Sequence, residues 1–186
     1  MIIKIDTTQN SAIIVDDYTC SGVGLPSLLN KKDNLIGLEI GCSEATTSFY
    51  LLDNLPNLTL HAIDPYLNYM DWNGRFLDDR EELYQKVIKK MEKFGDRFVL
   101  HRKLSDEIVS NFKDEYFDLI FIDGLHTYDQ VKRDCENYYS KAKIGSIFSG
   151  HDYNVIAEVN KAVNEFASAH NKQISNTNND VWYWVK

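Results

Sequence analysis

Residues 35–53 read LIGLEIGCSEATTSFYLLD. Leu35 to Ile40 is a mostly apolar run with the length of a strand, too brief for a helix. Gly41 follows at once, and from Glu44 to about Asp53 the residues Ala45, Phe49 and Leu52 recur at helical spacing. A strand that runs through a glycine turn into a helix is the first half of a βαβ unit, so the next strand should lie parallel to it.

The rhythm continues outward from there. Thr59 to Asp64 (TLHAID) predicts a second strand. Asp78 to Phe94 predicts a helix with Leu83, Val87, Met91 and Phe94 on one stripe, and Asp78 and Glu81 suit its N-terminus. Phe98 to Arg102 reads as a third strand and Ser105 to about Phe112 as a short helix. Phe117 to Asp123 (FDLIFID) is almost uniformly apolar, as a central parallel strand covered on both faces requires. Thr127 and Gln130 have capping-box spacing and open a helix with Val131, Cys135, Tyr138 and Ala142 inward. Ile144 to Phe148 is a fifth strand with Gly145 at the turn, and Val155, Val159, Ala162, Val163 and Phe166 mark another amphipathic helix. The tail predicts a hairpin, with Gln173–Thr177 and Val181–Val185 joined by a turn at residues 178–180. Five alternations of strand and helix imply right-handed crossovers and an open, mostly parallel α/β sheet with helices on both faces. Residues 1–34 carry no motif and read as an extension of a single domain whose core is 35–186.

Composition narrows the function. The 186 residues carry 20 Lys+Arg against 28 Asp+Glu, a net charge of −8. Binding to a phosphate backbone needs clustered positive charge, so a nucleic-acid partner is not expected. Cys20, Cys42 and Cys135 are odd in number, widely spaced and outside any zinc pattern, which argues against a disulfide framework or structural zinc. The opening MIIKIDTTQN lacks a signal-peptide pattern, and no apolar run approaches the ~18 residues of a membrane span, so a cytoplasmic protein without membrane partners is expected. The helix faces say nothing of oligomeric state.

In such a sheet ligands bind beyond the carboxyl ends of the strands. Glu39-Ile40-Gly41-Cys42-Ser43 at the first end combines a carboxylate with a turn glycine that lets a ligand approach the backbone. The glycine fingerprint of nicotinamide cofactors is absent, since Gly22-Val23-Gly24 precedes the strand. A carboxylate with a turn glycine suits a ligand with a cationic amino-acid portion. At the second end, Asp64 offers two oxygens suited to the paired hydroxyls of a ribose. Together the two ends suggest a nucleoside carrying a charged amino-acid tail.

The motifs EIGCSEATTS, HAIDPY, FDLIFIDGLHTYDQVKRD and IGSIFSGHDY resemble the class I S-adenosylmethionine-dependent methyltransferases. More narrowly they are similar to the macrocin-type sugar O-methyltransferases and cephalosporin-hydroxylase-like proteins. The catechol O-methyltransferase type is more distant. The resemblance covers about Leu35 to Asn154 and implies a Rossmann-like, doubly wound seven-stranded sheet whose C-terminal antiparallel hairpin supplies strands six and seven. It implies S-adenosylmethionine as cofactor, with Glu39, Gly41 and Ser43 at the methionine portion, Asp64 at the ribose, Ser105 near the adenine and Asp123 at the fourth strand end. Ala45 stands where that pattern has a glycine, adding a methyl near the cofactor.

The remaining ends bear on the reaction. Asp123 and Asp152 emerge at one edge of the sheet and could converge on a hard cation, and aspartates at these places hold a metal in the metal-dependent relatives. His151 and Tyr153 flank Asp152 where a third carboxylate or amide would stand, so Mg²⁺ would be held more weakly and Mn²⁺ tolerated. Methyl transfer to a hydroxyl needs the proton removed, and His126 and His151 are the candidate bases, His151 preferred for its place beside Asp152. Tyr66, Tyr69, Met70 and Trp72 form either a lid over a small-molecule acceptor or a loop packed on the 78–94 helix. The expected activity is O-methylation of a sugar or other small hydroxylated metabolite. A non-catalytic module that binds S-adenosylmethionine or a nucleoside is the alternative.

Overall fold

In the computed structural model residues 14–15, 18–29, 33–70, 74–177 and 179–186 are described. Seven strands form the main sheet: Leu35–Ile40 (β1), Leu58–Ile63 (β2), Phe98–His101 (β3), Phe117–Ile122 (β4), Ala142–Gly150 (β5), Ser175–Asn176 (β6) and Trp182–Val185 (β7). Their spatial order is β6-β7-β5-β4-β1-β2-β3. The five strands from β5 across to β3 run parallel, and β7 enters antiparallel between β5 and β6. The chain winds outward from β1 to β3, then returns to place β4 on the other side of β1. The ligand crevice of a doubly wound sheet opens at that reversal.

Register sets the site. Ile40 stands opposite both Ile63 and Ile122, so β1, β2 and β4 end level. The ladder runs one residue further: the Gly41 amide donates to the Ile63 carbonyl, Asp123 to Ile40, Asp64 to His101 and His151 to Ile122. Gly41, Asp64, Asp123 and His151 therefore stand in one row along the sheet edge.

The helices Thr46–Asn54 (α1) and Arg80–Met91 (α2) cover one face, and Tyr128–Tyr139 (α3) and Ala157–Ala169 (α4) the other. The all-buried β4 shows why its run had to be continuous: Leu119 and Phe121 join the core under α1 and α2, while Ile120 and Ile122 join the core under α3 and α4. Trp182 and Trp184 are buried in the second core, so the aromatic tail is packing.

Several boundaries differ from the periodicity. Helix α1 starts after Ala45 rather than at Glu44, because Ser43 and Ala45 both take left-handed backbone, φ 42° and 55°. Helix α2 ends at Met91 and passes into a tighter turn over Glu92–Arg97, broken at Gly95. Strand β5 spans nine residues rather than five: Gly145, at φ 79°, lies inside it, beside an irregular register with β4 that absorbs the bend. Helix α4 begins at Ala157 and leaves Val155 exposed. The segment before residue 35 contributes structure too: a short hairpin pairs Ile14–Val15 with Tyr18–Thr19, Leu25–Leu28 forms one helical turn, and Cys20 and Leu25 are buried in the first core. All three cysteines are free and buried, and among the described residues no helix is long and apolar enough to cross a membrane.

Candidate active site

A cavity of about 660 Å³ opens at the β1/β4 switch point, within the range that encloses a small-molecule ligand. Its walls include Glu39, Gly41, Ser43, Asp64, Ser105 and Asp123. His151 and Asp152 do not line it, whereas His126 does.

The β1 end is tighter than a ligand-approach turn. Gly41 has φ 90°, and a Cβ there would lie 2.0 Å from the Asp123 carbonyl oxygen. The space a side chain would fill is taken by the neighbouring strand end, so Gly41 brings β1 and β4 together and only its backbone edge faces the cavity. Ala45 likewise departs from expectation: it is fully buried in the core, so its extra methyl does not narrow the cavity. Glu39 is 2% exposed and accepts a hydrogen bond from the Ser48 hydroxyl on α1. Burial pushes its carboxyl up to about 8, against the pull of that bond, and this favours the neutral form at neutral pH.

Asp64 is held by backbone amides on both oxygens, Tyr66 N–H at 2.8 Å on Oδ1 and Ser43 N–H at 2.8 Å on Oδ2. The Ser43 amide is thus spent on orienting Asp64 rather than offered to a ligand. Tyr66 closes the loop by donating its hydroxyl to the Ser43 carbonyl at 2.8 Å and packing its ring on Tyr84 of α2. At the opposite wall the Ser105 hydroxyl donates to Asp134 of α3 at 2.6 Å, and the Gln130 side chain donates to the same carboxylate at 3.2 Å. Burial pushes Asp134 up to about 6, partly offset by these two bonds.

The β4 and β5 ends converge. Asp123, His126 and Asp152 bring one ligand atom each within 4.8 Å of one another. His126 Nε2 stands 3.2 Å from Asp123 Oδ1 and 2.9 Å from Asp152 Oδ2. Burial alone would lower the His126 pKa, but hydrogen bonds to both carboxylates outweigh it and hold the imidazole at about 9. Asp152 feels burial too, yet the two histidines hold it well below the usual carboxylate range. His151 has both nitrogens engaged, Nδ1 with Asp152 at 3.2 Å and Nε2 donating to the Asn179 carbonyl at 3.0 Å. Of the two histidines, His126 is the one with a face on the cavity.

Residues 38–153, more than half of the chain, match the family model described as a methyltransferase domain. The chain belongs to this methyltransferase family. It is a class I S-adenosylmethionine-dependent methyltransferase by family. The O-methyltransferase NovP superposes with a TM-score of 0.64 at 13% identity, covering 90% of this chain and 76% of that one. A precorrin-6y C5,15-methyltransferase from Geobacter metallireducens GS-15 gives 0.62 at 16%, covering 87% and 84%. At these identities the two likenesses show the fold alone. In sequence, the uncharacterized protein y4gI of Sinorhizobium fredii is 33% identical over 75 residues, 40% of this methyltransferase but only 8% of that protein.

The cavity fits the cofactor that the family implies. Its volume is adequate, each Asp64 oxygen keeps a lone pair beyond its amide bond, and Glu39 sits where a cation could claim its charge. Asp123 and Asp152 likewise bring anionic oxygens close enough to suit a divalent ion, with the His126 nitrogen beside them. The aromatic stretch divides: Tyr66 is buried packing, while Tyr69–Met70 pairs with Phe76–Leu77 in an exposed hairpin beside the cavity, and Trp72 lies outside the described residues. Sequence reading missed Asp134 and Arg80. Asp134 carried a faint signal, a charge one turn from Gln130 on the helix stripe next to Cys135. Arg80, in the run DDREE, carried none.

Proposed function

We propose that this methyltransferase transfers the methyl group of S-adenosylmethionine to a hydroxyl of a small-molecule acceptor, with a divalent cation assisting. The observation that carries this reading is the Asp123–His126–Asp152 cluster, of which Asp123 and His126 line the cavity. Glu39 would bind the cationic methionine portion, Asp64 the ribose hydroxyls, and the Ser105–Asp134–Gln130 wall the adenine edge. Methyl transfer is an in-line displacement, so the protein must present one acceptor oxygen to the sulfonium methyl and remove its proton. His126 takes that proton. Both carboxylates align its ring and stabilise the imidazolium that results, as the carboxylate does in other carboxylate–histidine pairs. Asp123 and Asp152 would hold Mg²⁺ or Mn²⁺ through their carboxylate oxygens, leaving the His126 nitrogen for the proton, and the ion would supply charge stabilisation for the developing alkoxide. An amine acceptor, largely protonated at neutral pH, would gain little from such an anion-stabilising cluster.

The test is transfer of labelled methyl from S-adenosylmethionine to a panel of sugars, catechols and amines, with Mn²⁺, with Mg²⁺ and with EDTA. The expected outcome is label on hydroxyl oxygen that falls on chelation. Label appearing only on nitrogen or carbon would overturn the O-methyl assignment. Cofactor binding with no transfer to any of them would favour a binding module instead.

A further inference from the structure

Arg80, the first residue of α2, has a side chain 7% exposed and lines the cofactor cavity. A guanidinium carries five N–H donors, and buried charges are ordinarily paired and hydrogen-bonded. Here Nη2 approaches Asp64 Oδ2 no closer than 3.7 Å, beyond hydrogen-bond length, and Nε is buried with no partner. The Tyr66 and Tyr69 rings lie 5.7 Å from its central carbon and hold the cation without accepting its N–H groups in the plane. The buried guanidinium thus leaves Nε unpartnered and Nη2 short of a hydrogen bond to Asp64, whose cavity it shares.

We propose that Arg80 is a specificity-determining residue for the ribose, donating to the hydroxyl oxygen whose proton Asp64 accepts. The proposal rests on placing the ribose at Asp64. A hydroxyl that gives its proton to a carboxylate keeps two lone pairs, and burying them bare is costly. An oxygen about 2.7 Å from Asp64 Oδ2 and about 2.9 Å from Arg80 Nη2 satisfies both bonds, because such lengths close a triangle on the 3.7 Å gap. Asp64 and Arg80 together then read a hydroxyl as donor and as acceptor at once. A deoxyribose would leave both charged groups unmatched, and a site built for a hydroxyl rejects the analogue that lacks it.

The test is calorimetry of S-adenosylhomocysteine and its 2′-deoxy and 3′-deoxy analogues against wild type, Arg80→Gln and Arg80→Lys. Wild type should prefer the full ribose to at least one deoxy analogue by about 10-fold or more. Arg80→Gln should weaken the full ribose by about 10-fold while moving that deoxy analogue by less than about 3-fold, so the discrimination collapses. Arg80→Lys should recover part of it, and carries the comparison if the Gln variant fails to fold by circular dichroism. Equal weakening of all three ligands, or none, overturns the proposal and leaves Arg80 a structural cation. Wild type that binds no S-adenosylhomocysteine overturns the cofactor site itself, and the Arg80 assignment with it.

Discussion

Glu39 shows a single residue placed against its own preference. A carboxyl at 2% exposure with one hydroxyl donor favours the neutral form up to about 8. The unfolded chain ionises near 4.5, so between pH 4.5 and 8 folding must bind a proton, and stability falls as pH rises across that window. Glu39→Gln keeps the acceptor for Ser48 and removes this penalty. Denaturant melts should show the variant more stable than wild type by about 1–3 kcal/mol at pH 8, with little difference at pH 4.5. The same variant should bind S-adenosylmethionine more weakly, a trade of stability for function that calorimetry reads directly. Gly41 makes the opposite case. A Cβ 2.0 Å from the Asp123 carbonyl forces β1 and β4 apart, so Gly41→Ala should cost ~3 kcal/mol or more in melts and loosen cofactor binding with it.

At the scale of elements, the site is a property of strand ends. Strands β2 and β4 deliver Asp64 and Asp123 one residue past their last ladder positions, β5 delivers Asp152 two past, Glu39 lies just inside the end of β1, and the level register of β1, β2 and β4 aligns them. The sequence placed Asp64, Asp123 and Asp152 correctly at strand ends because β-runs and the residues after them are local signals. It did not say that the β4–α3 loop would fold His126 back between two carboxylates, since that depends on the β5 end arriving opposite. Without an ion, a base held at about 9 is mostly protonated at pH 7, so the residual kcat/KM in EDTA should climb with pH through a midpoint near 9. Asp152→Asn removes one of the two charges holding that proton. Its limb should move toward neutral pH, and Mn²⁺ affinity should fall by roughly 10–100-fold. A pH profile that the substitution leaves in place would move the base elsewhere.

Across the whole molecule, two cores clamp one sheet, whose edge on one side is β3. There His61 of β2 and His101 of β3 stack at 5.2 Å with Nδ1 and Nε2 2.9 Å apart, ringed by Phe112, Tyr116 and Phe117. Burial first, then the neighbouring His101, lowers His61 to about 4. The unfolded chain protonates near 6.5, so stability is intact above that pH and is lost as pH falls toward 4. The melting temperature of wild type should drop over pH 6.5 to 4 more steeply than that of His61→Phe. Parallel curves for the two proteins would show that the pair plays no part in acid sensitivity.

The sequence by itself determined the alternation of strands and helices, the glycine turn after β1 and the acidic residues at or near the ends of four strands. These follow from periodicity and short-range backbone demands that a chain expresses locally. The element bounds shifted where backbone conformation, at Ser43, Ala45 and Gly145, overrode side-chain pattern. Only the tertiary structure decided that Arg80 is buried beside Asp64, that Asp134 backs Ser105, and that His126 rather than His151 faces the cavity. Each of these rests on contacts between elements distant in sequence, and an Arg in a run of charges looks the same from the sequence whether it faces solvent or a ligand.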